Sequence, residues 1–116
     1  MVKRFENSTH PMRALQAWLI LIGQAQVNRK PLTYEELGER MDFPYFGLAR
    51  VLGRIKRFCE LNDLPPLTVL VVNKKTGIPG SGLGEMNYQK EQERVLSTNW
   101  YNIMPPTLEE FSDLKR

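Results

Sequence analysis

Apolar residues fall into helical register soon after the chain begins. Leu15, Trp18, Leu19 and Ile22 recur at three- and four-residue spacing, and Ile20 and Leu21 widen the stripe. The pattern predicts a first helix over 11–27. Pro11 suits its first turn, where the missing N–H has no intrahelical partner to lose. A helix this apolar belongs at the centre of a core. The stretch "NRKPLTYEELGERM" follows, first as a connection with room for a short strand at 30–32. Thr33 then reads as an N-cap, and Glu36 three residues on completes a capping box. A helix over 34–41 results, burying Leu37 and Met41. Asp42-Phe43-Pro44 ends it, because the residue before a proline disfavours helical backbone.

A third helix is predicted over 45–62. Leu48, Val51, Leu52, Ile55, Phe58 and Cys59 form its apolar face. Arg50, Arg54 and Arg57 stand nearly opposite, within an arc of about 60° at 100° per residue. Gly53, in the helix interior, costs roughly 1 kcal/mol relative to alanine, so a close approach is expected there. Pro65 and Pro66 stop this helix, and the β-branched run over 67–72 reads as a buried strand. "NKKTGIPGSGLG" supplies a glycine turn tipped by Lys74 and Lys75, with 81–84 returning as a second, weak strand. Met86, Gln89, Glu93, Leu96 and Trp100 then recur at helical spacing until "MPP" breaks the pattern. Thr107 and Glu110 offer another capping box for a short closing turn up to Leu114.

This order predicts a mostly helical α+β fold in one domain, 1–116. A winged helix-turn-helix would occupy 11–84, with an N-terminal core helix, and a C-terminal helical extension would occupy 85–116. The second helix of such a pair normally enters a groove of DNA.

Composition narrows the class. With 41% hydrophobic and 25% charged residues in 116, a packed core is affordable. The longest apolar run, "AWLILI", falls far short of the roughly 20 residues a membrane span requires. The basic N-terminus lacks a small-residue cleavage site, so no secretory signal is expected. One cysteine, Cys59, allows no intramolecular disulfide, and one histidine leaves zinc without a ligand set. An intracellular, cytoplasmic setting fits. Net charge is +3, unevenly spread: 1–84 hold 12 Lys/Arg against 7 Asp/Glu, and 85–116 hold 4 against 6. The chain has a basic body and a mildly acidic tail.

Catalytic chemistry finds no footing. The glycine turn lacks the closing Gly-Lys-Ser/Thr of a phosphate-binding loop, and no acidic ribose partner follows it. Glu35, Glu36 and Glu39 read as a helix face and a cap, and His10 stands alone near the terminus. No nucleophile with a nearby base is legible, so neither enzyme activity nor a cofactor is expected.

Residues 33–84 resemble the DNA-binding part of the alkylguanine-DNA alkyltransferases and alkyltransferase-like proteins. "TYEELGERM" places Thr33, Tyr34, Glu36 and Leu37 in register with that family's first small helix. "ARVLG" matches its recognition helix at Ala49, Arg50 and Gly53. "NDLPPLTVLVV" matches at Asn62, Leu64, Pro65, Val71 and Val72, and a glycine-rich turn follows in both. The family's reactive Cys-His pair falls on Thr68 and Val69, and its following arginine on Leu70. Alkyl transfer requires a base-activated thiolate, so the resemblance implies DNA binding without repair chemistry. Tyr34 and Arg50 would take the places of the residues that extrude a base in that family.

The expected function is therefore non-catalytic binding of double-stranded DNA, as a regulator or accessory, repair-like factor. The DNA-binding residues would be Tyr34, Arg50, Gly53, Arg54, Arg57, Lys74 and Lys75, with Tyr34 near a phosphate at a helix N-terminus. Each has a plainer reading beside this: a solvated arginine face, a polar hairpin tip, a tyrosine ring packed on the first helix. The alternative function is a protein-interaction module that binds or inhibits a partner such as a nuclease. Its working surface would be Val95, Leu96, Trp100 and Tyr101 in 85–116, a segment equally placed for self-association or for packing on the first helix.

Overall fold

The computed structural model describes residues 1–80 and 87–114. The first helix, α1, spans His10–Gly23, with Thr9 as N-cap and Pro11 in its first turn. Ala14, Ala17, Trp18 and Leu21 form its buried stripe. The helix does not run unchanged to residue 27. It widens into a π-turn over Gln24–Asn28 and closes at Arg29, whose φ of 57° is left-handed. The buried Gln24 amide fixes this exit: its nitrogen donates to the Lys30 carbonyl at 2.8 Å and its oxygen accepts from Arg40 at 2.9 Å.

The strand β1 is Leu32–Thr33, overlapping the expected 30–32 only at Leu32, and α2 follows as Tyr34–Met41. The capping box is formed. Thr33 N–H donates to Glu36 Oε1 at 2.8 Å, and Glu36 N–H donates to Thr33 Oγ1 at 3.0 Å. Asp42, at φ 50°, ends α2, and Phe43 N–H donates back to the Gly38 carbonyl at 2.9 Å. A Cβ on Gly38 would stand 2.7 Å from the Phe43 carbonyl oxygen, so the chain can turn this tightly only over a glycine. A 3-10 turn, Tyr45–Gly47, leads into α3, Leu48–Leu61. All six apolar positions expected on α3 are buried.

The predicted strand over 67–72 is mostly something else. Leu67–Leu70 form a 3-10 turn, and only Val71–Val72 are strand β2. A short run buried on every side carries no alternation, so its sequence does not distinguish a strand from a buried turn. β1 and β2 pair in parallel, Leu32 opposite Val71 and Thr33 opposite Val72. The chain then reverses through 73–78. Gly77, at φ 69°, donates its N–H to the Asn73 carbonyl at 2.8 Å, and Asn73 N–H donates to Ile78 at 2.9 Å. A single antiparallel bridge joins Val72 to Pro79. The returning strand expected at 81–84 lies outside the described residues.

The tail supplies α4, Tyr88–Ser97, and α5, Leu108–Asp113, the latter opened by the expected Thr107–Glu110 capping box. Both fold back onto the body. Trp18 packs edge-on to Phe58 at 5.6 Å and to Trp100 at 5.7 Å, and Phe58 meets Phe111 at 6.2 Å. The core therefore draws on all five α-helices of the described residues. The fold is mostly helical, with one two-stranded sheet. Among the described residues no helix is long and apolar enough to cross a membrane.

Candidate nucleic-acid interface

The arginine stripe of α3 divides. Arg50 and Arg57 are exposed, and among the described residues neither has an internal partner. Arg54 is half-buried, and its Nη1 donates to the carbonyls of Phe111 and, at 3.4 Å, Leu114. Its Nε is buried without a partner. Arg54 lies at one edge of the arc, the edge facing α5. There it meets the last turn of a helix, whose carbonyls lack intrahelical donors and carry the negative end of the dipole. The expectation of three open guanidinium groups is corrected to two. Gly53 is also corrected: it is buried, so its backbone offers no surface to a duplex.

Tyr34 does not wait at an open helix start. The N-terminus of α2 is already filled by the Glu36 carboxylate, whose pKa the Thr33 backbone and hydroxyl bonds lower. Tyr34 itself is half-buried and hydrogen-bonded to the Gly80 backbone. Burial raises its pKa, and the Gly80 bond partly offsets that. A Cβ on Gly80 would collide with the Tyr34 hydroxyl. Tyr34 thus anchors the far end of the lysine turn to the start of α2. Lys74 and Lys75 are exposed on that turn, as expected.

Two residues to which the sequence reading gave no role stand out. Phe46 is 81% exposed and Tyr45 52%, with ring centroids 6.0 Å apart. They are pushed outward because Phe43 turns inward. The Phe43 ring lies close to Gly47, and the Arg13 guanidinium covers it at 5.0 Å. Arg13, itself buried, donates to the Met41 carbonyl at 2.6 Å and to Gln16 at 2.8 Å, so α1 clamps the turn between α2 and α3. The α3 wheel gave no signal for Phe46, which lies outside that helix in the 3-10 turn that leads into it. Tyr45 also lines a shallow groove together with the carboxylate-bearing residues Glu35, Glu39 and Asp42.

The alternative surface in the tail is largely absent. Val95 and Trp100 are fully buried, and Trp100 Nε1 donates to the Val95 carbonyl at 2.7 Å. Only Tyr101 of that set is exposed, Leu96 being half-buried. The tail does pack on α1, and on α3 as well.

Thr68 is half-buried and Val69 fully buried in the 3-10 turn before β2. Burial of Cys59 pushes its thiol up to about 11, away from thiolate chemistry. Among the described residues no group of three His, Cys, Asp or Glu side chains is placed to hold a metal ion. Comparison with protein-family models, with curated proteins and with solved structures found no match to this chain.

Proposed function

We propose that the chain is a non-catalytic double-stranded DNA-binding protein of winged-helix type, acting as a regulator or accessory factor. Its α3 presents Arg50 and Arg57 to a groove, and Lys74 and Lys75 on the turn after β2 touch the backbone beside it. The carrying observation is the pair Arg50 and Arg57. Both stand on one exposed arc of α3 without an internal partner among the described residues, while Arg54 of the same helix is taken up by carbonyls. Guanidinium forks suit phosphate oxygens. The order of capped helix, arginine-bearing helix, buried run and lysine turn supports kinship with the DNA-binding part of the alkyltransferase family.

The test is a fluorescence-anisotropy titration of a labelled mixed-sequence duplex between 50 and 200 mM salt. Four phosphate contacts give a log–log slope of about −3.6, an affinity loss of about 150-fold over that range. Arg50→Ala/Arg57→Ala should bind more weakly and lose only about 12-fold over the same range. Equal, negligible binding by both proteins would refute the proposal.

A further inference from the structure

We infer that Phe46 is a stacking wedge: it inserts between base pairs of the bound duplex, so the protein unstacks and bends DNA and prefers sites where stacking is already weak. This rests on the reading of α3 as a DNA-contacting helix and adds what that helix does to its ligand.

Three observations carry it. Phe46 is 81% exposed, in the 3-10 turn that leads directly into α3, the helix on which Arg50 and Arg57 are exposed. In this reading the ring meets bases and the arginines meet phosphates; basic side chains and apolar wedges frequently act together in proteins that kink duplexes. The mount is also held firmly. Phe43 packed near Gly47, the Arg13 clamp, and the close crossing of Gly38 by the Phe43 carbonyl leave the turn no slack. An inserted ring must be held this way, since a floppy one would lose in ordering what it gains by stacking. Finally, charge sets the direction. Glu35, Glu39 and Asp42 line a groove with Tyr45 whose lining includes no arginine, and they repel phosphates there. The backbone of a bound duplex is therefore disfavoured at that groove and drawn to Arg50 and Arg57.

The test compares wild type, Phe46→Ala, Phe46→Leu and Arg50→Ala/Arg57→Ala on an intact duplex and on one carrying a central mismatch. A 2-aminopurine beside the mismatch reports unstacking, and a donor–acceptor pair on the duplex ends reports bending. Because Phe46 is exposed, Phe46→Ala should keep its circular dichroism and thermal midpoint. Wild type should prefer the mismatched duplex, brighten 2-aminopurine and shorten the end-to-end distance. Phe46→Ala should lose about 5- to 100-fold in affinity for the mismatched duplex together with both optical signals. Phe46→Leu, still an apolar wedge, should restore much of each. If wild type and Phe46→Ala bind both duplexes alike with 2-aminopurine unchanged, the wedge is overturned and DNA binding stands. If no protein of the set binds either duplex, both proposals fall. Capture of a protein partner that is lost in Phe46→Ala but kept in the arginine variant, without duplex binding, would assign the turn to that partner and overturn the wedge.

Discussion

Replacing Arg54 by methionine separates its two conceivable jobs. Methionine keeps an apolar stem of similar reach and removes only the guanidinium. In the folded protein that group donates to the Phe111 and Leu114 carbonyls at the end of α5. A hydrogen bond involving a charged group contributes about 1.5–3 kcal/mol, and the Leu114 contact is long, so a loss of about 1.5–2 kcal/mol follows. Over 116 residues the unfolding entropy near the midpoint is about 0.24 kcal/mol per degree. The thermal midpoint should therefore fall by about 6–8 °C, read by far-ultraviolet circular dichroism. Duplex binding at low temperature should keep the wild-type salt slope, because Arg54 contributes no phosphate contact. A variant with an unchanged midpoint and a slope shallower by about 0.9 would refute the reasoning. The guanidinium would then belong to the ligand and not to the tail.

Other consequences follow from the same contacts. Gly80→Ala should destabilise by about 1–3 kcal/mol through collision with the Tyr34 hydroxyl. In a Tyr34→Phe background the cost should shrink, and a double-mutant cycle in urea showing strict additivity would contradict that coupling. Glu36→Gln should lower stability at neutral pH. Because the folded pKa of Glu36 is depressed, the deficit is complete above its ordinary value of 4.5 and fades as pH falls through the lower folded value. Urea midpoints of the two proteins should accordingly converge toward pH 3, and a deficit that widens in acid would count against the capping box. Cys59, with its thiol pushed up to about 11, should resist a thiol reagent at pH 8 in the native protein and react once unfolded. Rapid native labelling would contradict its burial.

Elements with a cap and a clear period were legible in the sequence. Thr33–Glu36 and Thr107–Glu110 start helices where their spacing demands, because the capping box is a local device complete within four residues. The apolar face of α3 was readable for the same reason. The run over 67–72 was not, because burial on all sides erases the alternation that marks a strand. On α3, wheel geometry put Arg50 and Arg57 on the exposed side of the helix, where they lie. It said nothing of Arg54, whose fate depends on α5, dozens of residues away. The same holds for Tyr34, tied to Gly80, and for Arg13, whose carbonyl partner lies 28 residues on. Whether Val95 and Trp100 faced a partner or the first helix stayed open in the sequence, because a partly amphipathic helix does not reveal which neighbour covers it.

The indole pair gives the molecule an internal optical gauge. Trp18 belongs to α1 and Trp100 to the segment between α4 and α5, and their edge-to-face contact closes only when the tail is seated. Emission from both rings should therefore track docking of residues 88–114 onto the body. A ligand gripping the outer arc of α3 should leave that emission unchanged, so a spectral shift during a titration would signal the tail lifting from its seat.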